Sequence, residues 1–184
     1  MQRPRAHVVP LALTHKSSEN GMNPELHIVG FKVGRETYGV PITSLHEIVR
    51  VPEITAVPDA PEYIEGVINL RGKIVSVIDL RKRFGEPEIA HNRRNRILVV
   101  EHNGRLSGLI VDAASEVLKI PAADVEPSPA VLQDGGVNCV TGLGKYHGRL
   151  IVLLDMSKLL DNSAARKNET ETGKNEARSA AAAK

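Results

Sequence analysis

The apolar positions of this chain fall into short runs separated by glycine, proline and polar turns. The stretch 66–84, GVINLRGKIVSVIDLRKRF, opens with a glycine, turns at 69–72 and continues into an apolar run that ends at Asp79. Short apolar runs bounded by turn residues are typical of strands, and Leu80 and Phe84 then share one helical face. The stretch therefore predicts a strand, a tight turn, a buried strand and a short helix capped by Asp79.

The same pattern recurs near the C-terminus. Residues 142–160, GLGKYHGRLIVLLDMSKLL, match the first stretch at a constant separation of 76 positions, so that Asp155 falls opposite Asp79. The region before each stretch also recurs, at a separation of 69, with Gly39 matching Gly108. The chain therefore contains two copies of one pattern, and the second copy has a loop that is seven residues longer.

Each copy begins with a pattern that is typical of a β-hairpin. The paired segments are 26–33 with 37–40 in the first copy, and 97–101 with 106–111 around Asn103 and Gly104 in the second. Asn-Gly is the strongest two-residue hairpin signal. Ser44 and Glu47 have the spacing of a capping box, which predicts a short helical turn there. The polar segment 85–95 is the best boundary between the copies.

Each copy therefore contains about five short β segments and a short helix in about 65 residues. Units of this size are too small for a β-sandwich and suit small barrels, whose closure removes exposed strand edges. We expect a mainly β protein of two barrels side by side, the first over about 26–90 and the second over about 91–161. Residues 1–25 are expected to form a flexible arm, and residues 162–184 a disordered or weakly helical tail.

Composition and charge narrow the class of protein. Formal net charge is +2, and the basic excess lies in the arm and tail, so the near-neutral folded part does not favour a nucleic-acid interface. The single cysteine, Cys139, excludes an intramolecular disulfide and suits a reducing compartment. No apolar run approaches the roughly 20 residues of a membrane helix. These features predict a soluble cytoplasmic protein without membrane insertion.

The residue types that most often carry chemistry show no arrangement typical of an active site. None of the seven histidines has a metal-binding spacing with a carboxylate, and Cys139 has no acid-base pair nearby in the sequence. Asp79, Asp112 and Asp155 end apolar strands, where we expect them to cap helical turns. An enzyme that uses Asp112 or Asp155 is an alternative, but it lacks a visible base, nucleophile and oxyanion set. We therefore predict no catalytic, cofactor or metal site.

Basic residues are the other candidate binding groups. The clusters 81–83 and 93–96 have acidic neighbours along the chain and are expected on a solvated face. Arg71 lies in the turn between two predicted strands, where a rigid platform would present its cation to a carboxylate partner. An arginine whose stem covers apolar surface is an equally open interpretation. The second copy has His147 at this position, so the fold does not demand the charge.

Four segments carry a resemblance to a known family: FKVGRETYGVPITSLHEIVRV, GVINLRGKIVSVIDLRKRF, SGLIVDAASEVLKIP and TGLGKYHGRLIVLLDMSKLL. Together they resemble the CheW-type chemotaxis coupling proteins over about residues 26–161. The resemblance implies two five-stranded SH3-like barrels with short helices and a non-enzymatic adaptor without a cofactor. Such an adaptor bridges the regulatory domain of a CheA-type histidine kinase and the cytoplasmic tips of methyl-accepting chemoreceptors, in cytoplasmic arrays held at the membrane by protein partners.

The resemblance also assigns partner-binding roles to particular residues. The receptor-facing positions would be Leu45, Glu47 and Gly66, a further partner contact would be Arg71, and the apolar edge offered to the kinase would include Val75 and Val77. Since the chain has no room for a kinase or receiver domain, a free adaptor is expected. The long arm and tail leave open an adaptor of a non-flagellar chemosensory pathway. An SH3-like nucleic-acid-binding module, motivated by 93–96, is the less favoured alternative.

Overall fold

The computed structural model of the chain describes residues 24–129 and 139–160. The predicted tail and residues 1–23 of the predicted arm lie outside this part. Among the described residues, no helix is long and apolar enough to cross a membrane.

The described residues form short strands and two short α-helices, in the chain order predicted for the two copies. The first copy contains β1 Glu25–Val33, β2 Glu36–Pro41, β3 Leu45–Arg50, β4 Ile64–Leu70, β5 Lys73–Asp79 and α1 Leu80–Phe84. The second contains β6 Arg96–His102, β7 Arg105–Val111, β8 Ala113–Pro121, β9 Val125–Pro127, β10 Val140–Tyr146, β11 Arg149–Leu154 and α2 Met156–Leu160. Single 3₁₀ turns at Ile42–Ser44 and Ala122–Asp124 complete the described elements.

Both short helices begin at the predicted aspartates. The Asp79 carboxylate accepts the Arg81 backbone N–H at 2.8 Å, and the Asp155 carboxylate accepts the Ser157 backbone N–H at 2.8 Å. Gly85 ends the first helix in the left-handed conformation at φ 71°. Each cap satisfies an amide that has no partner inside the helix, which is worth roughly 1 kcal/mol.

The prediction of a helical turn that begins at Ser44, with Ser44 and Glu47 as its capping box, is wrong. The helical turn ends at Ser44, and Glu47 already lies in β3. Pro41 precedes the turn, and no side-chain hydrogen bond caps it. The residues after Ser44 alternate between partly buried and exposed positions, as in a strand. This alternation, and not the capping-box spacing, determines the local structure.

The strands form two sheets, which close as the two predicted barrels. The five-stranded barrel has the order β3-β6-β7-β5-β4, and the six-stranded barrel has the order β8-β1-β2-β11-β10-β9 among the described residues. Thr55, in the link after β3, bridges to Val67 of β4 through two N–H···O bonds of 2.9 Å and closes the five-stranded barrel. The short strand β9 takes the same place beside β10.

Each barrel combines strands from both copies. The β1–β2 hairpin joins the second copy's strands through a parallel pairing of β2 with β11. The β6–β7 hairpin joins the first copy's strands through a parallel pairing of β7 with β5. The opening hairpins are thus exchanged, and the predicted assignment of 26–90 to one barrel and 91–161 to the other is corrected.

Apolar side chains form a core inside each barrel and a third core between them. Strand β6 contributes to two of them, because Ile97 and Val99 point into the five-stranded barrel while Leu98 and Val100 face the six-stranded barrel. The core between the barrels also contains Phe31 of β1. Strands buried on both faces read as continuous apolar runs, which explains the unbroken runs in the sequence.

The predicted repeat is confirmed at the level of packing. A Cβ on Gly39 would lie 2.5 Å from Ile28 Cδ1, and a Cβ on Gly108 would lie 2.7 Å from Ile97 Cγ2. The two isoleucines are separated by 69 positions, like the two glycines. Both hairpins therefore use the same close approach between a glycine and an isoleucine.

Candidate partner-binding surface

The turn between β4 and β5 holds Arg71 on a rigid platform. Arg71 and Gly72 have φ values of 52° and 85°, as in the two central residues of a type I′ turn. The Asn69 side chain accepts the Gly72 backbone N–H at 2.8 Å and fixes the turn from inside. The Arg71 side chain is 80% exposed, so its charge is presented to solvent rather than folded onto apolar surface.

Arg71 is paired with Glu47 in the free chain. Arg71 Nη2 lies 3.0 Å from Glu47 Oε2, and the glutamate side chain is 20% exposed. The pair crosses the open end of the five-stranded barrel, above a shallow depression of about 190 Å³. This depression is lined by His46, Glu47, Leu70, Arg71, Lys73 and Leu106. An exposed pair of this kind contributes less than about 1 kcal/mol, so it can open at little cost when a partner binds.

A β-bulge separates Leu45 from Glu47. Leu45 lies opposite Val100, whereas Glu47 lies opposite Val99, one residue short of regular pairing. Because Val100 belongs to the core between the barrels and Val99 to the barrel core, the two side chains leave opposite faces of β3. Leu45 packs against the core between the barrels, and Glu47 closes the barrel end. The structure therefore brings together Glu47 and Arg71, but not Leu45.

Gly66 lies in β4, against the link that closes the five-stranded barrel. Its φ of 146° is a conformation that residues with a Cβ rarely adopt, and an added Cβ would overlap the carbonyl oxygen of Thr55. Gly142, its match in the second copy, approaches the Glu126 carbonyl oxygen in the same way, with a Cβ distance of 2.6 Å. Both glycines allow the closing strand to pair at a bulge. Gly66 therefore supports the surface and does not itself project toward a partner.

Val75 and Val77 offer no surface to a partner. Both side chains have 0% exposure and fill the core of the five-stranded barrel. The prediction of an apolar edge at these two residues is therefore corrected. The exposed apolar residue of this strand is Ile74, at 69% exposure, and its match Leu150 is exposed at 58%. The apolar run in the sequence does not distinguish the exposed Ile74 from the buried valines. The reason is that the face of β5 opposite the two valines is also apolar, since Ile78 packs in the core between the barrels.

The expected solvated face at 81–83 is also corrected. Arg81 binds both carboxylate oxygens of Asp112 at 2.6 Å, and its pKa is raised because this hydrogen bond favours the charged form. Lys82 pairs with Glu65 at 2.9 Å, and the hydrogen bond to Glu65 likewise raises the pKa of Lys82. Asp112 therefore caps no helical turn. Arg81 and Lys82 therefore form ion pairs within the folded chain.

The Cys139 thiol and the two helix-capping aspartates are in structural rather than reactive environments. Burial raises the pKa of the Cys139 thiol to about 11, which suppresses the nucleophilic thiolate at neutral pH. Within the described residues, no group of three or more histidine, cysteine or acidic side chains could hold a metal ion. The described acids Asp79 and Asp155 cap helices, as shown above.

The end of the six-stranded barrel that corresponds to the Arg71 turn has a different chemistry. His147 takes the place of Arg71, and its ring lies edge-on against Tyr146 with 4.3 Å between centroids. Lys145, rather than the turn residue, forms the ion pair there, with Glu126 at 2.6 Å. Within residues 24–129 and 139–160, the arginine–glutamate pair therefore has no equivalent at the matching turn of the six-stranded barrel.

Comparison with known proteins identifies the family. The family model of the CheW-like domain matches residues 27–164. The chain belongs to the CheW-like family. Chemotaxis protein CheW of Helicobacter pylori is 38% identical over 135 residues, which cover 73% of this chain and 81% of the relative. Chemotaxis protein CheW of Klebsiella aerogenes is 34% identical over 132 residues, covering 72% of this chain and 80% of that protein.

A solved structure and a further relative extend the comparison. The scaffolding protein TtCheW from Thermoanaerobacter tengcongensis is 40% identical, with a TM-score of 0.71, and the match covers 77% of this chain and 96% of that one. Protein FrzA of Myxococcus xanthus is 30% identical over 145 residues, covering 78% of this chain and 90% of that protein. The CheW-like chain thus has the mainly β, SH3-like fold that the resemblance implied, and the CheW relatives it matches are chemotaxis proteins.

Proposed function

We propose that this CheW-like chain is a non-catalytic adaptor between the cytoplasmic tips of methyl-accepting chemoreceptors and the regulatory domain of a CheA-type histidine kinase. The observation that carries the proposal is the Glu47–Arg71 pair, held on a rigid turn at the end of the five-stranded barrel, where the matching turn of the other barrel has His147 in place of Arg71. A pair that contributes little to stability and is mounted on a fixed backbone is suited to setting the register of a partner.

The exposed apolar residues supply a second element of the adaptor. Ile48 is 40% exposed and lies opposite Leu98, and Val117 is 50% exposed and lies opposite Val29. Since Leu98 and Val29 belong to the core between the barrels, both exposed residues border the groove where the barrels meet. An amphipathic receptor helix fits such a groove, with apolar side chains providing affinity.

Ile74 fits the kinase side of the adaptor. It follows the Arg71 turn on β5 and is the most exposed large apolar side chain of the described residues, at 69%. Protein interfaces have an apolar centre and a polar rim, and the exposed Ile74 side chain offers apolar area for such a centre. We assign Ile74, in place of Val75 and Val77, to the apolar edge offered to the kinase.

Weak individual contacts are sufficient for this role. In an array of receptors and kinases, many sites engage together, and the effective concentration raises the overall affinity. The adaptor would act in the cytoplasm, at receptor arrays, and would reach the membrane only through its protein partners. The similarity to FrzA supports one alternative, in which the same adaptor serves a non-flagellar chemosensory pathway.

The proposal is tested by reconstitution with purified components. The chain, a CheA regulatory domain and a receptor tip fragment from the same organism are mixed in pairs and together, and complexes are measured by calorimetry and gel filtration. We expect binding to each partner and a ternary complex. Absence of binding to both partners would refute the adaptor function.

A further inference from the structure

Four arginines gather at the end of the five-stranded barrel where β3 ends and β6 begins. Arg50 and Arg96 lie directly opposite each other in the antiparallel β3–β6 pairing, and Arg93 and Arg94 lie in the turn that leads into β6. Arg50, Arg93 and Arg94 are exposed, and Arg96 is partly buried. Like charges directly opposite each other in a sheet are destabilising. This arginine cluster therefore keeps a repulsive pair within the fold.

No carboxylate compensates this repulsion in the part of the chain that the structure describes. The ion pairs among residues 24–129 and 139–160 involve none of the four arginines. Arg96 Nη1 donates only to backbone carbonyl oxygens, of Arg93 at 2.7 Å and of Asn95 at 2.8 Å. By contrast, Arg81 and Lys82 each have a carboxylate partner.

The turn that carries Arg93 and Arg94 is fixed by two asparagines. Asn95 is 3% exposed, accepts the Asn92 backbone N–H at 2.5 Å and donates to the Val111 carbonyl oxygen at 3.2 Å. The Asn92 side chain accepts the Arg94 backbone N–H at 2.8 Å. A buried polar side chain thus holds the turn in one conformation. The backbone that carries Arg93 and Arg94 is therefore preorganised, which reduces the entropy lost when a ligand binds.

We propose that the arginine cluster is a docking site for an acidic segment of a protein partner. Guanidinium groups bind carboxylates through two parallel hydrogen bonds, and binding would relieve the repulsion between Arg50 and Arg96. The cluster is confined to two strand ends and one turn. Residues 27–161 are near neutral only with the four arginines included, so the folded part outside the cluster carries a net negative charge. The cluster therefore suits a short run of carboxylates better than the long phosphate backbone of a nucleic acid.

The site goes beyond the proposed adaptor contacts and does not depend on them. Arg50 lies three residues after Glu47, which corresponds to roughly 10 Å along β3. A partner held at the Glu47–Arg71 pair could therefore reach the arginine cluster with an acidic extension. The docking itself requires only the four cations and their fixed backbone.

The test uses a labelled oligoglutamate peptide and the full chain, with binding followed by fluorescence anisotropy at low and high salt. Arg50→Glu and Arg94→Glu are each expected to weaken binding by roughly tenfold or more, and high salt should weaken binding to the unmodified chain. The control is Arg35→Glu, at an exposed arginine in the β1–β2 turn, and it should bind like the unmodified chain.

A second readout separates docking from a structural role. Arg50→Glu places opposite charges at the Arg50–Arg96 pairing, so we expect a higher melting temperature together with lost peptide binding. Unchanged peptide binding in both cluster variants, or equal loss in Arg35→Glu, would overturn the proposal. A lower melting temperature for Arg50→Glu would also overturn it, as would tighter binding of single-stranded DNA than of the peptide.

Discussion

Arg81 and Asp112 form a two-point ion pair, in which Nε and Nη2 of the arginine each lie 2.6 Å from a carboxylate oxygen. Asp112 stands between β7 of the five-stranded barrel and β8 of the six-stranded barrel. Its carboxylate also accepts the Gly34 backbone N–H at 2.7 Å, in the β1–β2 turn. One carboxylate therefore joins the helix after β5 to a turn of the other barrel, and it stabilises the contact between barrels.

Replacing this carboxylate should destabilise the fold. Asp112→Asn retains the shape but removes the charge, and the largely buried Arg81 then loses its partner. We expect the free energy of unfolding to fall by about 1.5 to 3 kcal/mol, the range for hydrogen bonds to charged groups. Urea denaturation measures this change.

The matched control for Asp112→Asn is Glu126→Gln. Glu126 forms an equally short ion pair with Lys145, but both side chains are more than half exposed. Its loss should therefore cost much less than the loss of the Asp112 carboxylate, because solvent screens an exposed pair. Equal effects of the two substitutions would contradict a special role of Asp112 between the barrels.

Gly66 and Gly72 offer a second matched comparison. Both have positive φ, at 146° and 85°, but a Cβ on Gly66 would overlap the Thr55 carbonyl oxygen, whereas Gly72 has open space around it. Gly72→Ala should cost only backbone strain, about 1 to 2 kcal/mol. Gly66→Ala should cost clearly more, because it also displaces the link that closes the barrel. Urea denaturation of the two variants checks the order, and an equal loss would contradict it.

The repeat, the strand order along the chain and the helix caps could be predicted from sequence, because each depends on residues close together in the chain. The exchange of the two hairpins between the barrels could not be predicted from sequence. It rests on the parallel pairings of β2 with β11 and of β5 with β7, and the periodicity of one strand carries no information about its neighbour across a barrel. The repeat itself favoured the wrong grouping, because the two hairpins have the same pattern and the same glycine–isoleucine approach.

The candidate site was predictable only in part. The sequence placed Arg71 in a tight turn but left open whether it faces a partner or covers apolar surface, and the 80% exposure of its side chain disfavours the second interpretation. Ile74 was not identifiable from the sequence, because both faces of β5 meet apolar cores and the alternation is lost in the run 74–78. The arginine cluster could not be recognised from the sequence, because it depends on the pairing of Arg50 with Arg96, which are distant in the chain.

We expect Cys139 to lower the stability of the fold at alkaline pH. Burial raises the pKa of its thiol from 9.0 to about 11 in the folded chain. Between these values the folded state holds a proton that the unfolded state releases. Stability from this group is therefore fully present below pH 9 and is lost as pH rises toward 11, by about 2 to 3 kcal/mol in total.

The free energy of unfolding, measured by urea denaturation between pH 8 and 11, tests this effect. In Cys139→Ala the decline with pH should be shallower. It should not vanish, since the pKa values of Tyr38 and Lys82 are also raised and act in the same direction. An unchanged slope in the variant would exclude the thiol as a source of the decline.

Arg71→Glu should separate binding from stability. The Arg71 side chain is 80% exposed, and its pair with Glu47 contributes less than about 1 kcal/mol, so the melting temperature should remain nearly unchanged. Binding to the receptor tip or to the kinase regulatory domain should weaken by roughly 30-fold, the effect of losing one central contact of about 2 kcal/mol. Calorimetric titration measures the affinity and thermal unfolding measures the stability. His147→Glu introduces the same charge at the equivalent turn of the other barrel, and it should bind like the unmodified chain. If Arg71→Glu and His147→Glu weaken binding equally, the effect arises from net charge and Arg71 makes no specific contact.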